Sequence, residues 1–302
     1  MRRSILLVVA ASVCFAAHST RADMIQGIGM DFVPIGNAGN APDTRIMIDG
    51  TSGYGAVGYD YSIGKYEVTY GQWSTFVAAA GAPTGSDGGY DIPPSYTRAL
   101  QPVTRASWYE AVQFCNYLTS GEKSLGAYLF SGNNANPGAF LGVDRATALT
   151  AYGTIYALPT EDEWYKAAYY KPDGSGYSHY ANGTNTPPIA GIDALYGVTS
   201  GEPWDVGAGT EEQNGTFDMM GNLWEWNEAS LVGGSNRGLR GGAFFSDNYH
   251  LSSYYRNGYY PYFQGYGEGF RVVQVVPVPG AFLLGTIGLA FAGWKLRRRQ
   301  RH

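Results

Sequence analysis

The chain has 302 residues and a net charge of −5, but all 25 acids lie between Asp23 and Glu268, while eight of the 20 basic residues sit in the first 22 and last eight positions. The intervening body therefore carries 12 basic and 25 acidic groups, a net of −13; a field of that sign repels phosphate backbones, excludes nucleic acid as a partner and favours hard cations such as calcium. The body holds a single cysteine, Cys115, which excludes an intramolecular disulfide, while 43 glycines and 25 tyrosines indicate a folded, loop-rich and aromatic-rich body.

At the N-terminus, Met1-Arg2-Arg3 is a charged start, residues 4–17 are apolar, and Thr20-Arg21-Ala22 places small residues around a cut before Asp23. This is the pattern of a signal peptide over residues 1–22, removed by signal peptidase. Cys14 does not read as a lipidation site, because Ala11-Ser12-Val13 lacks the expected leucine.

Residues 24–65 read as short strands and glycine turns, with strand runs at Phe32-Val33-Pro34-Ile35-Gly36 and over 54–63. Three capping boxes then predict helices. Thr69 with Gln72 opens one to about Ala80, Ser107 with Glu110 one to about Leu118, and Thr160 with Glu163 one to about Tyr169. The second helix has an apolar stripe of Trp108, Ala111, Val112, Cys115 and Leu118, which makes Cys115 a buried thiol rather than a nucleophile. Glu161, Asp162 and Glu163 read as a charged first turn that complements the helix dipole. Residues 171–215 are rich in Gly, Pro, Asn, Ser and Thr and read as loops; from Asn222 to Val273 short aromatic strands alternate with turns. No internal repeat or linker divides residues 24–274, so they form one domain.

Beyond it, Val275-Val276-Pro277-Val278-Pro279 leads into an apolar run over 281–294, followed by Lys295, Arg297, Arg298, Arg299 and Arg301 in the basic tail 295–302. A span needs about 20 apolar residues, so this run is a marginal anchor with its positive side in the cytoplasm. The arrangement over 275–301 resembles the PEP-CTERM sorting signal of Gram-negative bacteria, with Val-Pro-Val-Pro in place of Pro-Glu-Pro. The resemblance implies export, membrane retention and trimming of segment 275–302 by an exosortase-type peptidase. A permanent anchor is the alternative. Either way the body lies outside the cytoplasm, in the cell envelope or extracellular matrix.

Six blocks occur in a fixed order: Ile63-Gly64-Lys65-Tyr66-Glu67-Val68-Thr69, Pro102-Val103-Thr104-Arg105-Ala106-Ser107-Trp108, Leu158-Pro159-Thr160-Glu161-Asp162-Glu163-Trp164, Gly221-Asn222-Leu223-Trp224-Glu225-Trp226, Arg240-Gly241-Gly242 and Gly269-Phe270-Arg271. Together they resemble the formylglycine-generating enzyme (sulfatase-modifying factor) family, with its EgtB and PvdO branches. The resemblance implies an α+β fold, the formylglycine-generating-enzyme variant of the C-type lectin fold, loop-rich with few short helices and strands. Its oxidases hold copper(I) with two cysteines after the Gly-Gly turn; those positions are Ser246 and Leu251, and residues 222–302 contain no cysteine. Its iron branch uses a His-x₃-His-x-Glu cluster, whereas the body has only His179 and His250, both read as surface histidines. No copper or iron is therefore expected, and the reading leans to a non-catalytic binding or structural protein. An oxidase-class enzyme with atypical metal ligands is the alternative.

The resemblance also implies structural calcium, with ligands at the Asp218 side chain, the Gly221 and Leu223 carbonyls and the Glu225 side chain. The other reading pairs Glu225 with Arg240 or Arg271 and makes Asp218 a turn cap. A second calcium site, expected in 180–210, finds no matching spacing. Residues 249–266 hold seven tyrosines. They read either as core packing or as a ligand face with Tyr254, Arg256, Asn257, Tyr259 and Tyr260, facing exopolysaccharide or a surface protein.

Overall fold

The computed structural model describes residues 22–277; residues 1–21 of the signal-peptide segment and 278–302 of the sorting-signal segment lie outside them. Among the described residues no helix is long and apolar enough to cross a membrane.

The chain opens with the hairpin β1 (Asp23–Ile25) and β2 (Ile28–Met30). Its turn residues, Gln26 and Gly27, both have positive φ, the geometry whose twist matches paired strands. Next come β3 (Phe32–Ile35) and β4 (Tyr61–Gly64), then helices α1 (Tyr70–Ala80) and α2 (Trp108–Ser120). The hairpin β5 (Tyr128–Phe130) and β6 (Phe140–Val143) leads to α3 (Arg145–Tyr152), β7 (Ile155–Ala157) and α4 (Glu161–Tyr169). After a long irregular stretch come β8 (Trp224–Leu231), β9 (Asn236–Arg240), β10 (Asn257–Tyr259), β11 (Glu268–Gly269) and β12 (Val273–Val275).

All three expected capping boxes form: Thr69, Ser107 and Thr160 each accept from the backbone N–H three residues on, and Gln72, Glu110 and Glu163 reach back. Each cap contributes on the order of 1 kcal/mol. Helix α3 has no box; Asp144 alone caps it, accepting from Thr147 N–H at 2.9 Å, and only Ala148 is buried. The loops over 171–215 support α4 directly. Gln213 donates to the Ala168 carbonyl, and Asn214 to those of Ala167 and Tyr170, satisfying carbonyls the helix leaves open.

Two four-stranded sheets organise the core. One has the order β3-β4-β12-β7, antiparallel throughout; the other runs β10-β9-β8-β11, with β11 parallel to β8. Phe270, Arg271 and Val272 bridge the sheets and are all buried. Helix α2 packs one flank, with Trp108, Ala111, Val112, Phe114, Cys115 and Leu118 buried; Cys115 is a free core thiol, as expected.

The acidic first turn of α4 forms as expected at the positive end of the helix dipole. It is also a set of cross-links. Glu161 takes Arg240 at 2.6 Å and also binds Arg256; Glu163 takes Arg145 at 3.0 Å; Asp162 accepts the Gly55 N–H at 2.8 Å. Arginines brought from distant strands and loops draw these carboxylates inward.

Candidate functional site

Strand β8 presents Trp224 and Trp226 to one side and Glu225 to the other, because side chains alternate along a strand. Both rings are buried, on the side of the strand away from Glu225. The ring that meets Glu225 is Trp164 of α4, whose Nε1 donates to Glu225 Oε2 at 2.7 Å. Arg271 completes the pair, donating from Nε to Oε2 at 2.6 Å and from Nη2 to Oε1 at 2.5 Å. Its remaining N–H groups go to the carbonyls of Gly64 and Phe217. Arg240 is taken by Glu161, so of the two arginine partners open to Glu225 the structure uses Arg271.

The turn before β8 is forced by backbone chemistry. Asp218, Gly221 and Asn222 all have positive φ, and a Cβ on Gly221 would lie 2.2 Å from the Leu195 carbonyl oxygen. Only glycine fits there. Asp218 accepts from Trp204 Nε1 at 2.9 Å and Gly207 N–H at 2.7 Å. Glu67, in the loop before α1, accepts from Asn222 Nδ2 at 2.6 Å and Leu223 N–H at 3.1 Å. Glu212 accepts from Thr216 and the Met219 N–H. Four carboxylates thus surround one guanidinium. Burial raises Glu67 well above its ordinary value, with the charges of Asp218 and Glu225 adding to it. Burial lifts Glu212 to about 8, and also raises Asp218 against the pull of its N–H donors. Arg271 balances Glu225, and Glu212 carries a proton at neutral pH.

This arrangement bears on the expected calcium ligands. Asp218, Gly221, Leu223 and Glu225 do lie together, but all four carboxylate oxygens of Asp218 and Glu225 face N–H donors. A cation placed among them would meet the Arg271 guanidinium, so the set as folded does not fit calcium. Among the described residues, no group of three or more His, Cys, Asp or Glu side chains is placed to hold a metal ion.

The positions corresponding to the copper thiolates lie across the Gly241-Gly242 turn. The Ser246 hydroxyl accepts from Ala243 N–H at 3.0 Å. Leu251 is fully buried, and its carbonyl accepts from the Tyr169 hydroxyl. Neither side chain supplies a soft donor.

The expected ligand-face residues divide into three groups. Tyr254 stacks on His179 at 5.4 Å and meets Tyr249 edge-on at 5.0 Å. Arg256 is spent internally on Glu161 and Asp49 and lies over the Tyr54 ring, and the Asn257 side chain bonds the next N–H, of Gly258. Arg256 is therefore not free for a ligand. Tyr259 stacks on Phe263 at 4.4 Å, and Tyr260 lies parallel to Tyr262 at 5.3 Å, half exposed. Sequence reasoning missed three neighbours: Phe245, Asp247 and the position of His250. His250 meets Tyr255 at 4.4 Å and Trp224 at 5.9 Å, and its Nδ1 lies 2.6 Å from Asp247 Oδ1. The Asp-x-x-His spacing was the available signal, since an aspartate that turns the chain brings the third residue back to it.

One antiparallel and one mixed four-stranded sheet, with few helices and much irregular backbone, define the formylglycine-generating variant of the C-type lectin fold. Two solved structures share it. Treponema denticola variable protein 1 has a TM-score of 0.60 at 22% identity, covering 84% of this chain and 98% of that one. CarF has a TM-score of 0.61 at 24% identity, covering 82% and 98%. The sulfatase-modifying factor enzyme 1-like domain matches residues 52–276, about three quarters of the chain, and the chain belongs to that family. Among curated proteins, it is 26% identical over 188 residues to the chaperone protein LppX of Paenibacillus barcinonensis, a match over 55% of this chain and 61% of that protein. It is 27% identical over 173 residues to hercynine oxygenase of Mycolicibacterium smegmatis, over 57% and 37%. The chain therefore spans less than two thirds of either relative.

Proposed function

We propose that this chain is an exported, surface-retained binding protein built on the sulfatase-modifying factor scaffold, without the family's oxidase chemistry. The observation that carries the reading is at positions 246 and 251, where a hydrogen-bonded serine and a core leucine stand in place of thiolates. A chaperone among its relatives supports a role that needs no redox centre. The signal peptide, removed by signal peptidase, and the apolar tail, trimmed by an exosortase-type enzyme, supply the route outward. The domain's geometry suits attachment at one end. Asp23 lies within electrostatic reach of Tyr156, which also receives a bond from Gln274, so the chain enters and leaves together.

The alternative, an oxidase-class enzyme with atypical ligands, draws on the similarity to hercynine oxygenase. Copper(I) and iron(II) loading of the purified chain, followed by turnover of a cysteine-containing peptide, separates the two. We expect no stoichiometric retention of either metal and no turnover; metal-dependent oxidation overturns the binding-protein reading. Calcium has no place in the proposal, so EGTA should leave the melting temperature unchanged, and a chelation-dependent drop of several degrees would restore a calcium site.

A further inference from the structure

The aromatic face holds chemistry that neither the fold nor the buried centre uses. In segment 243–266 every exposed large hydrophobic residue is aromatic: Phe245, Tyr249, Tyr259, Tyr260, Tyr262 and Tyr266, each between 38% and 51% exposed. The rings are held, not loose. Tyr259 is stacked on Phe263, Phe245 meets Tyr266 at 5.3 Å, and Tyr255 meets Tyr249 at 5.2 Å over the buried Trp224. The loop beneath is pinned by Gln264 donating to the buried Glu110 at 3.0 Å and by Arg105 N–H donating to the Gly265 carbonyl. Little conformational entropy remains for a ligand to remove.

The polar rim is equally defined. Asp247 is 68% exposed at its side chain. Both of its bonds, from His250 Nδ1 at 2.6 Å and Tyr249 N–H at 3.1 Å, fall on Oδ1, which leaves Oδ2 at the solvent edge. The nearby cation, Arg256, is neutralised by Glu161 and Asp49. The face therefore offers ring faces, tyrosine hydroxyls and a carboxylate on a body of net charge −13; the arginines that adjoin it, Arg105 and Arg237, bond to the Ser95 hydroxyl and the Glu228 carbonyl.

We propose that this face binds an uncharged polysaccharide chain. Sugar rings present C–H faces that pack on aromatic rings, and hydroxyls that donate to a carboxylate and exchange bonds with tyrosine tips. Several separated rings suit a repeating polymer better than a single small molecule, since each adds a weak contact to the same chain. An acidic polysaccharide is disfavoured because its carboxylates would meet Asp247 and the negative body, whose 25 acidic groups outnumber 12 basic ones. A protein partner is the competing occupant, since tyrosines are also enriched at protein interfaces, and the peptide arm of the test addresses it.

The inference rests on the binding-protein reading and names its ligand class. The test is native affinity electrophoresis of the full chain in mild detergent, through gels containing hydroxyethylcellulose, dextran or alginate. We expect retardation by at least one neutral polymer and none by alginate. Tyr249→Ala and Tyr260→Ala should each weaken retardation about fivefold or more, and Asp247→Asn by a smaller factor. Thermal melts of Tyr260→Ala and Asp247→Asn should match the parent, whereas Tyr249→Ala, which loses ring contacts to Tyr254 and Tyr255, should melt slightly lower yet remain folded. No retardation by either neutral polymer, retardation by alginate alone, or unchanged retardation of the Tyr249→Ala, Tyr260→Ala double variant overturns the inference. A peptide that binds through these tyrosines while the glucans do not also overturns it. Metal-dependent peptide oxidation would instead sink the binding-protein reading, so the two failures are distinguishable.

Discussion

At the centre of the molecule Glu225, Asp218 and Glu67 direct their carboxylate oxygens to N–H groups. On the face formed by residues 243–266, reached within some forty positions of Glu225, Asp247 keeps one oxygen at the solvent edge and six aromatic residues remain well exposed. The two regions share strand β8, whose Glu225 points into the centre and whose Trp224 underlies the face. A satisfied polar centre holds a shape, whereas polar and aromatic groups left open can hold a ligand. The sequence blocks that carry the family resemblance fall mostly in the first region, and the exposed tyrosines lie in the second.

The sharpest way to break this contrast is to unpair the centre. Arg271→Met leaves Glu225 buried opposite an apolar side chain, and removing one partner of a buried pair costs about 3–5 kcal/mol. Denaturant unfolding should register that loss, or the variant should fail to fold. Adding Glu225→Gln should recover part of it, because the stranded charge is then gone. A loss under about 1 kcal/mol for Arg271→Met would mean the pair does not hold the two sheets together.

The centre also sets a pH dependence. The raised value of Glu212, about 8 against an ordinary 4.5, means the folded chain keeps a proton that the unfolded chain releases across that interval. The stabilisation is complete below about 4.5 and is lost as pH rises through about 8. Glu67 and Asp218, both raised chiefly by burial, act in the same direction. Unfolding free energy should therefore fall between pH 5 and 8, at up to roughly 1.4 kcal/mol per pH unit for each proton. Glu212→Gln should flatten the curve; stability that stays level or climbs over this range would show that the folded chain does not hold that proton.

How far the sequence reaches differs between these regions for a physical reason. The capping boxes are local chemistry, complete within four residues, so three helices could be located from them. Helix α3 escaped because Asp144 has no glutamate or glutamine three residues on, and one buried alanine makes no stripe. The partner of Glu225 was open between Arg240 and Arg271 because neither spacing favours one. The decision is made by Glu161, 79 residues before Arg240 in the chain, which captures that arginine first. The tyrosine segment looked like one face, but Arg256 in its middle is drawn away by Asp49, 207 positions earlier. Asp247 carried no weight in the sequence until the turn set it beside His250.

The smallest expected effects sharpen the comparison on the exposed side. Tyr259 and Tyr260 are adjacent, both exposed, and both on the proposed ligand face. Tyr259 is stacked on Phe263 at 4.4 Å, against a loop pinned by Glu110, so Tyr259→Ala should cost about 1 kcal/mol from the lost ring pair and its buried area. Tyr260 contacts chiefly Tyr262, itself half exposed, so Tyr260→Ala should stay within about 0.5 kcal/mol. Measured by denaturant melts, the order Tyr259 above Tyr260 would assign the first ring to holding the face and the second to what the face holds. Equal losses would mean the outer pair is packing after all, and the exposed rings would then belong to the fold rather than to a ligand.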